Sequence, residues 1–224
     1  MTTPRTRRMM RLAPLRRLMG LALALAALGV RAADPTPVSV EEAARRLASG
    51  GFVLMMRHTQ TEAGVGDPPG YRLDDCTSQR NLSDAGRAQA RAIGAALRAS
   101  GVRIGIVRAS AWCRCRDTAE LAFGPHEVWP ALNSFFDRSA GGSAQTREVE
   151  TFAKTVRPPG NAMLVTHQVN ISAAFGTWTS PGEIVAGRWT EGGLRAEFRF
   201  RADAAPGAGA LNGVLLVRQT DPGR

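Results

Sequence analysis

Lysine is almost missing from this chain: of 29 basic residues Lys154 is the one lysine, and arginine supplies the other 28. Beside the abundant Ala and Gly, this reads as composition bias rather than a functional choice. Acids are missing from residues 1–32, a stretch that holds seven arginines (Arg5, Arg7, Arg8, Arg11, Arg16, Arg17, Arg31). Without that leader, 22 basic residues face 19 acidic ones, so most of the formal charge of +10 belongs to the first 32 positions. No basic cluster with interleaved aromatics remains, which excludes a nucleic-acid groove. The apolar run Leu18 to Val30 has 13 residues and would reach about 20 Å as a helix, against about 30 Å for a bilayer core. That makes it a poor permanent membrane anchor. Cysteine is scarce, with three residues at 76, 113 and 115, too few and wrongly spaced for a zinc site. Internal repeats and heptads are absent, and nothing specifies an oligomeric state. The 224 residues suffice for one α/β domain with a full core and are too few for two.

What is present begins with the leader. An Arg-rich start, a short apolar run and the small-x-small site Val30-Arg31-Ala32 read as a secretory signal peptide over 1–32, followed by one domain over 33–224. No cysteine lies at the cleavage point, which disfavours a lipoprotein. The pairs Arg7-Arg8 and Arg16-Arg17 leave twin-arginine export open beside the general route. The expected location is periplasmic or secreted. That compartment is oxidising, so Cys76 could bridge to Cys113 or to Cys115, or all three could remain free thiols.

Strand ends carry the chemistry. The apolar run 52–56 stops on Arg57-His58; Ile106 to Ser110 leads into a helix opening with Arg114; and 162–166 runs straight into His167. In open α/β sheets the carboxyl ends of parallel strands are where ligands bind. Two imidazoles and two guanidiniums delivered there form a site for a phosphoryl group. Arginine offers planar bidentate donors to phosphate oxygens, and neutral imidazole is a competent nucleophile.

Helices are expected over Glu41 to Leu47, Ala85 to Arg98 with a cap at Leu82-Ser83-Asp84, Trp112 to Phe123 closed by Gly124, near Thr146 to Thr155, and from Val169 to Phe175. Arg114, Thr118 and Leu121 recur at i, i+4 and i+7, which puts them on one helix face with the leucine towards the core. Strands are expected over 103–108, near Glu127 to Trp129, before His167, and over Ile184 to Arg188, Leu194 to Arg201 and Val214 to Arg218. Residues 62–79, rich in Gly and Pro, form a long irregular loop suited to lining a site. The fold class this order implies is α/β: three layers, a mostly parallel central sheet flanked by helices, with antiparallel strands near the C-terminus.

Arg57-His58-Thr59-Gln60-Thr61 is similar to the R-H-G-x-T signature of the histidine phosphatase (phosphoglycerate-mutase-like) superfamily. Leu82-Ser83-Asp84-Ala85-Gly86-Arg87-Ala88-Gln89-Ala90 resembles its L-[ST]-x-x-G-x-x-Q-A helix start. Ser110-x3-Arg114-x3-Thr118-Ala119 resembles its S-x3-R-x3-T-A segment, and Val165-Thr166-His167 its V-T-H. The resemblance runs over about residues 50 to 175 in the family's order. It implies a metal-independent, cofactor-free phosphatase in which His58 attacks phosphorus to give a phosphohistidine. Arg57, Thr59, Gln60, Arg114 and His167 would contact the phosphate, and a carboxylic acid would protonate the leaving alcohol. The substrate would be a small-molecule or macromolecular phosphomonoester.

Two departures stand out. Thr59 replaces the usual glycine, which would narrow the pocket or add a hydroxyl donor. The family's Leu-x-Glu becomes Leu132-Asn133-Ser134, and the His-Asp pair of the acid-phosphatase branch becomes His167-Gln168. Asp137 and Glu183 are then the nearest candidates for the acid. The missing carboxylate keeps a rival open, a non-catalytic binder of phosphorylated ligands on the same fold; a structural envelope module is a second. His126 matches no motif and reads as a loop residue.

Overall fold

The carboxyl ends of three adjacent parallel strands meet at one place in this domain. A computed structural model describes residues 34–64, 66–136 and 139–203. The leader over 1–32, the expected strand Val214 to Arg218 and the candidate acid Asp137 lie outside the described residues. The elements run β1 (Thr36–Pro37), α1 (Val40–Leu47), β2 (Val53–Arg57), α2 (Asp84–Ala99), β3 (Ile104–Ala109), α3 (Cys113–Phe123), β4 (Glu127–Val128), α4 (Ser139–Ala153), β5 (Asn161–Thr166), α5 (Gln168–Phe175), β6 (Ile184–Thr190) and β7 (Gly193–Phe200). They build one sheet of order β1-β7-β6-β2-β5-β3-β4. β2, β5, β3 and β4 are mutually parallel, whereas β6 pairs antiparallel with both β2 and β7. The expected layered α/β class is the observed one, and α4 starts seven residues before the expected Thr146.

Continuous apolar sequence makes β2 and β5 central strands. Val53 to Met56 and Asn161 to Thr166 are buried throughout, as parallel strands covered on both faces require. Alternation divides them between two cores. Leu54, Met56, Met163 and Val165 pack with Ala43 and Leu47 of α1, Ile93 and Leu97 of α2, and Cys115 and Ala119 of α3. Val53, Met55, Ala162 and Leu164 pack with Val149 and Ala153 of α4 and Ile171 and Phe175 of α5. On α3 the expected core leucine, Leu121, is only half-buried; the small side chains of Cys115, Ala119 and Ala122 face inward instead. Small residues suit this helix because α2 approaches it closely: a Cβ on Gly94 would lie 2.0 Å from the Ala122 carbonyl oxygen.

The helix α2 also fixes the segment after β2. Ser83 caps it by accepting from Gly86 N at 3.1 Å. Its first turn then crosses so near the chain that a Cβ on Gly86 would meet the Gln60 carbonyl oxygen at 1.9 Å. Gln89, one turn on, accepts from Gln60 N at 3.1 Å and donates to the Pro181 carbonyl at 3.0 Å. The glycine and glutamine of the helix-start motif thus hold the chain that follows the Arg-His pair.

The loop 62–79 is tied down covalently. Cys76 bonds to Cys113, 37 residues away, and Cys115 is a buried free thiol. Closing a loop of that length in the unfolded chain is worth about 4 kcal/mol on the chain-entropy account. Gln79 adds a second tie, its Oε1 accepting from Cys113 N at 2.9 Å. Bridge and hydrogen bond join the loop to the first turn of α3.

Gly86→Ala tests the close approach at α2. The added methyl meets backbone rather than a movable side chain, so a loss of about 1–3 kcal/mol is expected from overpacking, read as a lower urea midpoint; an unchanged midpoint would contradict the packing described.

Candidate active site

Register brings the two histidines together. Arg57 lies opposite Thr166 across the β2–β5 pair, and His58 N donates to the Thr166 carbonyl at 3.0 Å. His58 and His167 therefore emerge side by side, with ring centroids 5.5 Å apart and planes at 67°. β3 ends beside them: Ser110 N donates to the Val165 carbonyl at 3.0 Å. The first turn of α3 then projects Arg114 into the same space. All four residues line one cavity of about 470 Å³, together with Asp67, Arg80, Trp112 and Gln168.

The hydrogen bonds of each ring fix its tautomer. Nδ1 of His58 lies 2.8 Å from the Thr59 carbonyl oxygen. A carbonyl only accepts, so Nδ1 carries the proton and the lone pair resides on Nε2. Burial first, and then the charge of Arg114, pushes the His58 pKa down to about 3. The ring is neutral near pH 7. His167 is also buried and is held well below the usual imidazole range, by burial first and then by His58 and Arg114. Its Nε2 sits 2.9 Å from Ser110 Oγ, and Arg114 Nη2 donates towards Nδ1 at 3.5 Å. Ser110 in turn donates to Asn133 Oδ1 at 3.1 Å, which also accepts from Ala111 N at 2.8 Å. Asn133, one residue before the Ser134 that stands where the resemblance implies a glutamate, thus braces the second histidine through Ser110.

Arg114 is 3% exposed and enclosed on several sides. Nη1 donates to Asp67 Oδ1 at 2.8 Å, and the guanidinium lies over the Trp112 ring at 4.3 Å. Arg57 is half-buried and donates from Nη1 to the Thr179 carbonyl at 2.8 Å. Thr179 is held by Gln168, whose Oε1 accepts from both its N and its Oγ1 at 2.8 Å. The glutamine after His167 thereby positions Arg57. Nε of Arg57 and Nε of Arg114 are buried without a hydrogen-bond partner among the described residues. Burial and the neighbouring Arg80 and Arg114 push the Arg57 pKa down, and burial and Arg114 do the same to Arg80. Three guanidiniums meet one carboxylate in the described lining, an arrangement that favours a bound anion.

Several sequence expectations are corrected. Thr59 does not enter the cavity; its Oγ1 lies 3.1 Å from Thr118 Oγ1, and its N donates to the same hydroxyl at 3.2 Å. The β-branched residue therefore locks β2's exit to α3 instead of narrowing the pocket. Gln60 is exposed and does not line the cavity, because its backbone is engaged by Ser83 and Gln89. Glu183 also lies outside the lining: Oε1 accepts from Arg199 Nε at 2.5 Å and Oε2 from Ser180 N at 2.8 Å. It is an ion-paired structural carboxylate. Sequence reasoning missed Asp67 and Arg80, which bound an irregular stretch without periodicity, and Trp112, whose apolar ring reads as core. It also missed the mouth, where Phe136 and Trp178 are 80% and 71% exposed.

Cys115 is no rival nucleophile. Burial raises its thiol pKa to about 12, although Sγ lies 3.4 Å from His167 Nε2. Among the described residues no group of three or more His, Cys, Asp or Glu is placed to hold a metal ion.

The depressed histidines make a pH prediction with a definite sign. Between about pH 3 and 6.5 the unfolded chain binds a proton at His58 that the folded protein does not. Stability from this group is therefore full above pH 6.5 and falls as pH drops towards 3. Urea midpoints at pH 7 and pH 5 should fall more for the wild type than for His58→Asn; parallel losses would contradict a buried neutral imidazole.

Residues 53–154 match the family model described as histidine phosphatase superfamily (branch 1). No curated protein matches the chain in sequence. Among solved structures, the protein histidine phosphatase SixA complexed with tungstate is similar at 15% identity, over 67% of this chain and 97% of that one, with a TM-score of 0.49. A phosphoserine phosphatase from Entamoeba histolytica in complex with phosphoserine is similar at 12% identity, over 66% and 95%, with a TM-score of 0.48. The putative phosphohistidine phosphatase SixA from Agrobacterium tumefaciens is similar at 19% identity, over 71% and 99%, with a TM-score of 0.47. Three of the four motifs place residues in one cavity, and residues 53–154, which hold three of the four, are similar to the histidine phosphatase superfamily, branch 1.

Proposed function

We propose that this protein is an exported phosphatase that hydrolyses phosphomonoesters through a phosphohistidine on His58. The observation that carries the reading is a neutral imidazole with its Nε2 lone pair free, lining a cavity together with Arg57, Arg80 and Arg114. A phosphomonoester brings about two negative charges. Guanidiniums neutralise those charges and orient the group while Nε2 attacks phosphorus in line with the leaving oxygen. His167, its ring centroid 5.5 Å from that of His58 and its Nε2 braced by Ser110, holds the Arg114 guanidinium beside the phosphoryl oxygens through Nδ1. Water then attacks the phosphohistidine and releases phosphate.

Turnover needs more than charge. Nδ1–H of His58 donates to a fixed carbonyl, which stabilises the positive charge that the ring gains on phosphorylation and holds it in line. The exposed rings of Phe136 and Trp178 at the mouth offer the leaving group two apolar faces. Export rests on the leader. No helix among the described residues is long and apolar enough to cross a membrane. Work outside the cytoplasm disfavours glycolytic mutase activity, whose metabolites are elsewhere.

The test is hydrolysis of 4-nitrophenyl phosphate by the mature protein in excess EDTA. Wild type should turn over, and His58→Ala should lose at least about 10³-fold in kcat. Phosphate or vanadate binding without turnover would make the chain a binder of phosphorylated ligands, and equal activity in His58→Ala would remove the nucleophile assignment.

A further inference from the structure

We infer that Asp67 is the general acid of this site, supplying the proton to the leaving alcohol; the inference rests on the phosphohistidine reading above. Of the two carboxylates nearest in sequence to the expected position, Glu183 is committed to Arg199 and Ser180, and Asp137 lies outside the described residues. Asp67 is the one carboxylate in the cavity's described lining. Its Oδ1 is 2.8 Å from Arg114 Nη1 and 3.3 Å from Arg80 N. The carboxylate therefore sits one hydrogen bond away from a guanidinium that a phosphoryl oxygen would occupy. Its side chain is 23% exposed, so it stands on the open side where a leaving group would lie.

The placement is built. Arg80 N holds the carboxylate, and the remainder of its loop is fastened by the Cys76–Cys113 bridge and by Gln79 to the same helix turn that carries Arg114. In this structure Asp67 is the anion on Arg114. A bound phosphoryl group takes over those donors, which removes a positive partner from Asp67 and adds a negative neighbour. A monoanionic phosphoester, whose second ionisation lies near pH 6, carries the proton needed, and that proton passes to the carboxylate.

The steps then balance. As the His58 Nε2–P bond forms, the P–O bond breaks, its electron pair goes to the alcohol oxygen, and Asp67 gives that oxygen its proton. In the second half-reaction the Asp67 carboxylate takes a proton from water, the water oxygen bonds to phosphorus, and the N–P pair returns to Nε2. Asp67 ends protonated and hands that proton back as phosphate leaves and Arg114 is regained.

Leaving-group dependence tests this in Asp67→Asn, which keeps a hydrogen bond to Arg114 but no proton to give. On 4-nitrophenyl phosphate, whose leaving group needs little protonation, kcat/KM, which ends at release of the alcohol and so omits the water step, should change by about threefold or less. On an alkyl ester such as glycerol phosphate kcat/KM should fall about 10²-fold or more, and Asp67→Glu should recover part of the loss. Equal losses on both esters, or a change confined to KM, would reduce Asp67 to a partner of Arg114 and overturn the inference. So would full alkyl-ester activity. Wild type inactive on the aryl ester would instead defeat the phosphatase reading itself, so the two failures are distinct. Circular dichroism and vanadate binding establish that the variant is folded; if Asp67→Asn does not fold, Asp67→Ser takes its place in the same comparison of the two esters, with the same outcomes deciding.

Discussion

Like charges held close together without water are costly, and that cost organises this molecule. Burial first, and with it the charge of Arg114, depresses Arg57, Arg80 and both histidines, and Arg80 adds to the effect on Arg57 and on the two imidazoles. Such a cup is stable only because the surrounding fold leaves it no freedom to open. It relaxes electrostatically when an anion enters. Burial, with that field behind it, keeps His58 unprotonated, so the groups that attract a phosphoryl group also help keep its attacker nucleophilic.

The scaffold meets that demand with a few braces. Parallel pairing of β2 with β5 sets the distance between the imidazoles, and the neighbouring end of β3 supplies Ser110 to orient one of them. α3 supplies a cation and a lock four residues apart: Arg114 faces the cavity, and Thr118 bonds both its own helix's Arg114 carbonyl and Thr59. Gln89 and Gln168, neither of them ionisable, hold the nucleophile segment and the Arg57 support. Each motif reads as one brace between a strand exit and a helix start. Removing a brace displaces charge without changing its amount, so its effect falls on rate more than on affinity.

Legibility in the sequence followed periodicity. Apolar runs ending on charged or imidazole residues reveal β2, β5 and their cargo, and a four-residue spacing reveals Arg114 with Thr118. Asp67 and Arg80 escaped because they border a loop whose course depends on a disulfide and on side-chain to backbone contacts. Of the bridges open to Cys76, helix geometry selects Cys113 at the start of α3, since Cys115 turns into the core. Glu183 misled as a candidate acid because its partner comes from across an antiparallel pair: Arg199 lies opposite Val185 in β7. Thr59 misled for a related reason, its hydroxyl being claimed by Thr118 from a helix some sixty positions on. Local spacing predicts local geometry, whereas ion pairing and loop course depend on tertiary neighbours.

Rapid acid-free quenching of a single turnover, followed by peptide mapping and phosphorus NMR of the trapped protein, reaches the centre of this account. It predicts one acid-labile phosphoryl group, on Nε2 of His58, forming and decaying at rates that match turnover. Phosphate attached at Nδ1 or at another residue, or steady product release with no phosphoprotein at any time, would contradict it.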